Sequence, residues 1–273
     1  MQIRGLMTGL AAAVLSLAAY HAGSVVAEDK PVVQPPEGSP LDELISGYNF
    51  RDAATKALQD DDFENPGFLW VEQAEGLWEE AEGEAGKACA DCHDGVESLQ
   101  HAATSYPVYF EPWKKLINLE QRINLCRTEQ MKAEPWKYES DQMLGMTALI
   151  KYHARDEPVN VAIDGDAAPF FEKGKEFYYE RRGQLDMSCA NCHENFSGMH
   201  IRADMLSQGQ SNGFPTYRLK WQGLGSLHRR FKGCNEQVRA EPYERGSDEY
   251  VNLELYLAWR GQGLPIEGPS VRQ

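Results

Sequence analysis

Apolar positions recur at helical spacing along much of the chain. Between Pro66 and Gly83 they fall at Val71, Ala74, Leu77 and Trp78, which predicts a helix. A second helix is expected over roughly Pro112–Leu125. Ser140-Asp141 reads as a helix cap with an acidic first turn, ahead of a stripe at Leu144, Ala148 and Tyr152. A fourth stripe runs through Phe170, Gly174, Phe177 and Tyr178. A last one, Val251, Leu255 and Trp259, follows a second cap at Ser247-Asp248. No strand-like alternation competes, so the expected class is all-α.

The stripes repeat. Trp70, Ala74, Leu77 and Trp78 lie under Phe170, Gly174, Phe177 and Tyr178 at an offset of 100 residues. Tyr106-Pro107-Val108-Tyr109 with Trp113 matches Phe214-Pro215-Thr216-Tyr217 with Trp221 at an offset of 108. Glu129–Trp136 matches Glu236–Tyr243, and Ser140-Asp141 matches Ser247-Asp248, at 107. This is a tandem duplication. The expected order is a polar, proline-rich N-terminal extension over 28–62, a first small domain over 63–153 and a linker over 154–169. A second domain over 170–260 and a tail over 261–273 complete it. Residues 1–27 read as a signal peptide: Arg4, an apolar run from Leu6 to Ala19, and the small residues Val25-Val26-Ala27. A membrane anchor is the alternative, but the apolar run is short for a span. The expected location is therefore the periplasm, with no membrane attachment.

With 273 residues, two domains are affordable, and a formal net charge of −15 excludes non-specific nucleic-acid binding. The chemistry lies in Cys189-Ala190-Asn191-Cys192-His193 and in the same signature 100 residues earlier, Cys89-Ala90-Asp91-Cys92-His93. Cys-x-x-Cys-His is the attachment signature of haem c: two thiols add to the vinyl groups and the histidine ligates iron. Two signatures imply two covalently bound haem c groups, so each copy reads as a small cytochrome c-like domain. A pair of half zinc sites is the alternative.

Cys126 and Cys234 remain. In an exported protein two leftover thiols default to a disulfide. Here, however, Arg122–Cys126 aligns with Arg230–Cys234, so each cysteine holds the same place in its own copy. The methionines do not align between copies: Met131 faces Val238, and Met143 and Met146 fall over Tyr250 and Leu253. Cysteine is the sulfur both copies share downstream of the histidine, so His93/Cys126 and His193/Cys234 are the expected axial pairs. Around Cys234 the sequence gathers Arg218, Lys220, His228, Arg229, Arg230 and Lys232. Around Cys126, Glu111 and Glu120 offset the positive charge. A basic cluster beside an unpaired sulfur suits a small anionic substrate, and Arg230, four residues before Cys234, faces it if the segment is helical.

Arg181–Glu194 and Arg229-Arg230-Phe231-Lys232-Gly233-Cys234 resemble the SoxA family, the dihaem subunits of SoxAX cytochromes of periplasmic thiosulfate oxidation. The resemblance covers nearly the whole mature chain. It implies two covalent haems with His/Cys ligation, a monohaem partner SoxX, and Cys234 as an active-site cysteine carried as a persulfide with Arg230 beside it. It also implies a reaction that joins thiosulfate to a cysteine of the SoxYZ carrier protein. Two electrons pass to an electron-accepting c-type cytochrome. The rival readings are a plain dihaem electron carrier, a dihaem peroxidase, and a structural subunit whose haems only fill the core.

Overall fold

The computed structural model describes residues 28–273; the signal-peptide reading of 1–27 lies outside them. An irregular arm leads to α1 (Ala53–Asp60) and α2 (Phe68–Glu79). After the first Cys-x-x-Cys-His turn come α3 (Gln100–Ser105), the hairpin β1 (Val108–Phe110) and β2 (Lys115–Ile117), then α4 (Leu119–Leu125) and α5 (Asp141–Tyr152). The second stretch runs through α6 (Ala168–Tyr179), a small hairpin β3 (His200–Ile201) and β4 (Asp204–Met205), and a longer one, β5 (Thr216–Arg218) and β6 (Gly223–Gly225). It ends with α7 (Leu227–Gln237), α8 (Asp248–Arg260) and β7 (Ser270–Arg272), which pairs in parallel with β5.

The predicted stripes are where the core forms. Val71, Ala74 and Trp78 of α2 meet Leu144, Ala148 and Leu149 of α5 in one hydrophobic cluster. Phe171, Phe177 and Tyr178 of α6 meet Val251, Leu255 and Trp259 of α8 in the other. Ser140 and Ser247 cap α5 and α8 by accepting the backbone N–H groups of Met143 and Tyr250.

The two halves also exchange hairpins. Leu116 of β2 is buried in the second cluster, while Tyr217 and Leu224 of the β5–β6 hairpin belong to the first. The Tyr217 ring lies 6.1 Å from that of Trp70, and the Tyr109 ring 5.9 Å from that of Phe170. Each cluster is therefore completed by residues from the other half of the chain.

The chain is helix-rich but not all-α: the hairpins and β7 form three small sheets. Strands of two or three residues are too short to show a period of two, which is why the sequence pattern hid them. The helix expected over 112–125 is likewise split. Pro112 opens a single 3₁₀ turn, Lys114 at φ 53° ends it, and β2 follows. Only then does α4 begin, at an Asn118–Gln121 capping box. Two stretches expected as linker and tail carry core residues. Val159, Val161 and Ala167 are buried in the second cluster, and Val271 of β7 is fully buried.

One device holds each haem-motif loop to the segment that carries the lone cysteine of its half. Gly183, at φ 69°, brings the loop against α7's exit, where Gln184 and Leu185 donate to the carbonyls of Arg239 and Val238. Gly83, at φ 70°, repeats this in the first half against Met131 and Lys132. A Cβ on Gly183 would stand 2.1 Å from the Val238 carbonyl oxygen. Gly183→Ala should therefore destabilise the protein by about 1–3 kcal/mol. Gly76→Ala, in α2 with nothing within 4 Å of the added methyl, should be neutral or gain up to about 1 kcal/mol. Denaturant unfolding of the two variants checks the contrast.

Candidate haem sites

The second motif sits in one tight turn. Ser188 donates its backbone N–H to Asn191 Oδ1 at 2.8 Å, and Asn191–Asn195 forms a single π-helical turn that carries Cys192 and His193. His193 Nδ1 lies 2.9 Å from the Ser207 carbonyl oxygen. A carbonyl only accepts, so Nδ1 holds the proton and Nε2 is left as the metal-binding nitrogen. Gly209, at φ 77°, passes so close that a Cβ there would stand 2.8 Å from the imidazole ring.

Cys234 comes to this imidazole from α7, which starts where Ser226 Oγ accepts the Arg229 N–H. Burial pushes the Cys234 thiol up. Arg230, the contact with His193 and Arg218 pull it down further, and the net position is about 7. The attachment thiols go the other way: burial and the neighbouring Cys234 push Cys189 up to about 12 and raise Cys192 as well. Of the two kinds of sulfur, only Cys234 is set to be anionic near neutrality.

The first motif repeats the layout with a weaker field. Ala88 donates to Asp91 Oδ2 at 2.8 Å, as Ser188 does to Asn191. The His93 ring lies 5.8 Å from that of Trp78, and burial and then Arg122 lower its pKa. Cys126 follows α4 at the head of a π-helical turn, Cys126–Met131. Its thiol is raised, because burial outweighs the single cation Arg122. Cys89 is pushed up to about 11 by burial.

All six cysteines are free, and the alternative of a Cys126–Cys234 disulfide does not form. Cys126 is coupled to Cys89 and Cys92, and Cys234 to Cys189 and Cys192, so each lone sulfur keeps company with its own motif. The basic cluster read around Cys234 resolves into two cations that act on the sulfur, Arg230 and Arg218. His228 is buried and bonds Glu254 at 3.0 Å, and Arg229 lies over Trp221 and beside Glu139. Lys220 is exposed. Nor does Glu120 offset charge at Cys126: it is buried toward Glu254 and His228, while Glu111 pairs with Lys114.

Sequence reasoning missed Ser207, Gly209 and Asp204. All three lie in the loop between His193 and Pro215, which is eight residues longer than its counterpart between His93 and Pro107. The signal was present: the repeat offset jumps from 100 to 108 across this loop. Arg218 stands where the first copy has Phe110, so the second cation is also new to this half.

The donor sets fit a haem in each half. Each offers two thiols and an imidazole in one turn, with a further sulfur brought in from a separate helix. Among the described residues no group of three or more His, Cys, Asp or Glu side chains is placed to hold a metal ion. No helix among the described residues is long and apolar enough to cross a membrane.

Residues 73–159 match the family model described as SoxA/TsdA, cytochrome c domain. The chain is 52 % identical to the L-cysteine S-thiosulfotransferase subunit SoxA of Rhodovulum sulfidophilum over 85 % of this chain and 81 % of that one. It is 46 % identical to the same subunit of Pseudaminobacter salicylatoxidans over 91 % of this chain and 89 % of that one. The crystal structure of SoxXA from P. pantotrophus contains a chain that superposes with a TM-score of 0.85 at 47 % identity, covering 90 % of this chain and 94 % of that one. With the Cys-x-x-Cys-His turns and the Cys234 site already in place, these similarities make the chain a member of the SoxA family of L-cysteine S-thiosulfotransferase subunits, built on a cytochrome c fold.

Proposed function

We propose that this chain joins thiosulfate oxidatively to a cysteine of a SoxYZ-type carrier protein, in the periplasm and as a heterodimer with a monohaem SoxX. The reading includes two tandem cytochrome c-like domains, 63–153 and 170–260, each with one covalent haem c. Cys89 and Cys92 hold the first haem and Cys189 and Cys192 the second; His93/Cys126 and His193/Cys234 are the axial pairs. The observation that carries it is the convergence of Cys234, His193, Arg230 and Arg218 in one half only.

The reaction balances as follows. A carrier thiol and thiosulfate form one S–S bond, giving a cysteine S-thiosulfonate, and release one proton and two electrons to c-type cytochromes. The haem, when bound, supplies an iron that accepts electrons. The chain's own residues handle charge. Arg230 offers a planar fork that accommodates sulfonate oxygens. Arg218 adds positive charge at fixed distance from the sulfur. Together they offset the desolvation of an anionic Cys234, the proposed active-site sulfur. The formal net charge of −15 does not preclude this, because the potential at a site is set chiefly by the nearest charges.

Two measurements test this. EPR and magnetic circular dichroism of the mature protein should show six-coordinate low-spin irons with one sulfur ligand each. Cys126→Ala and Cys234→Ala should each remove one of the two signals; unchanged spectra in both variants would refute the ligand assignment. Carrier-linked thiosulfate turnover should be abolished in Cys234→Ala. In Arg230→Ala it should fall about ten- to a hundredfold, the worth of a charge-assisted hydrogen bond of roughly 1.5–3 kcal/mol felt in the transition state. Arg230→Lys should recover part of this loss, and Arg122→Ala should scarcely change turnover. Equal losses at Arg122 and Arg230, or full activity without Cys234, would leave a plain electron carrier.

A further inference from the structure

The N-terminal arm is not an appendage to the second site. Arg51, whose side chain is only 5 % exposed, donates Nη1 to Asp204 Oδ1 at 2.8 Å and Nη2 to the Met205 carbonyl at 2.5 Å. The other carboxylate oxygen of Asp204 takes Nη2 of Arg218 at 2.7 Å. A few residues on, Gln208 accepts the Ile45 N–H at 2.8 Å and donates to the Glu43 carbonyl at 3.0 Å. Between these two grips lies Ser207, whose carbonyl takes the His193 proton. The arm thus fastens both flanks of a loop that is eight residues longer than its counterpart in the first half, and it does so where that loop touches the imidazole.

We infer that Arg51 and the arm over 43–51 are positioning elements of the second haem site, setting the orientation of His193 through the Asp204–Gln208 loop. The physical reason is that the β3–β4 ladder is only two residue pairs long and residues 206–210 beyond it lie in no helix or strand, so the segment has little stiffness of its own. The hydrogen bond on the non-ligating nitrogen governs how an axial imidazole sits and how basic it is, and losing such partners typically changes activity about ten- to a hundredfold. Here that partner is a loop carbonyl, so whatever fixes the loop fixes the ligand. Asp204 is shared, which also ties the Arg218 cation to the same frame. Arg51 touches neither substrate nor iron in this arrangement; it acts through the loop.

The inference rests on His193 being an iron ligand, so the experiment separates the two claims. The holoprotein is compared as wild type, Arg51→Gln, Arg51→Lys, Gln208→Ala, His193→Ala and Tyr48→Phe. The last loosens the arm at its Tyr48–Asp60 hydrogen bond, away from the loop. The readouts are the EPR g-values of the second ferric haem and separate kcat and KM for thiosulfate. Arg51→Gln should broaden or split the second haem's low-spin signal and lower kcat about tenfold at nearly constant KM. Arg51→Lys should restore part of both, since lysine keeps the charge but cannot serve Asp204 and Met205 together. Gln208→Ala, which releases one grip only and serves if Arg51→Gln does not fold, should shift the signal in the same sense. Tyr48→Phe should lower the melting temperature and leave the spectrum alone. An unchanged second-haem spectrum in both Arg51→Gln and Gln208→Ala, or the same spectral change in Tyr48→Phe, overturns the inference. Retention of the second-haem signal in His193→Ala overturns the ligand assignment instead.

Discussion

Keeping a sulfur anionic inside a protein is the constraint on which the second half of this molecule turns. Desolvation favours the neutral thiol, and for Cys126, with one arginine at hand, it wins. For Cys234 it loses, because Arg230 and Arg218 act together on the sulfur. Those cations must in turn be fixed, since a mobile arginine screens itself with water. Arg218 is buried and held by Asp204 at 2.7 Å and by the Gln273 carbonyl at 2.7 Å. The β5–β7 pairing brings that carbonyl to it. The parallel strand at the end of the chain, the insertion after the second motif and the arm before α1 all serve this one electrostatic arrangement.

The two halves of the sequence repeat keep one frame with different residues. In the first, Glu82 pairs with Arg127 through both carboxylate oxygens, at 2.8 and 3.1 Å, and the guanidinium lies 3.8 Å from the Trp136 ring. In the second, the positions corresponding to Glu82 and Arg127 are Arg182 and Asn235, joined at 2.8 Å, with the guanidinium 4.7 Å from Tyr243. The arginine has changed sides, yet the bond between the pre-motif loop and the cysteine-bearing segment survives, and so does its aromatic platform. A hydrogen-bonded cation stacked on a ring tolerates being supplied from either strand, because the contact is defined by its geometry more than by its donor.

The core of α2, α5, α6 and α8, the serine caps of α5 and α8 and both Cys-x-x-Cys-His motifs were legible in the sequence, because each leaves a local mark: a 3.6-residue stripe, a Ser-Asp pair, a fixed spacing. The pairing of Cys234 with Arg230 was legible through helical spacing. Asp204, Ser207 and Gly209 were not, since their roles depend on where an irregular loop returns in space. The exchange of hairpins was hidden for the same reason: Leu116 and Leu224 carry no sign of which core they enter. The basic cluster misled because His228 and Arg229 are on the same short helix as Arg230 yet face other directions, toward Glu254 and Trp221.

His228 belongs instead to the seam between the halves. It occupies the position in α7 that Glu120 occupies in α4, and the two meet in a buried polar cluster with Glu254, Lys151 and Tyr138. The Gly246 N–H donates to His228 Nδ1, so Nε2 carries the proton that Glu254 accepts at 3.0 Å. Asn118, the cap of α4, donates to the same carboxylate oxygen at 3.0 Å, and the Tyr138 ring stacks on the imidazole at 5.5 Å. Burial and the nearby Glu254 raise the Glu120 carboxyl, while burial lowers the Lys151 ammonium. Such a cluster contributes little net stability, because desolvation offsets its attractions. What it does supply is direction. Apolar surfaces at a seam slide against one another, whereas these bonds tie the cap of α4 and His228 of α7 to one carboxylate of α8.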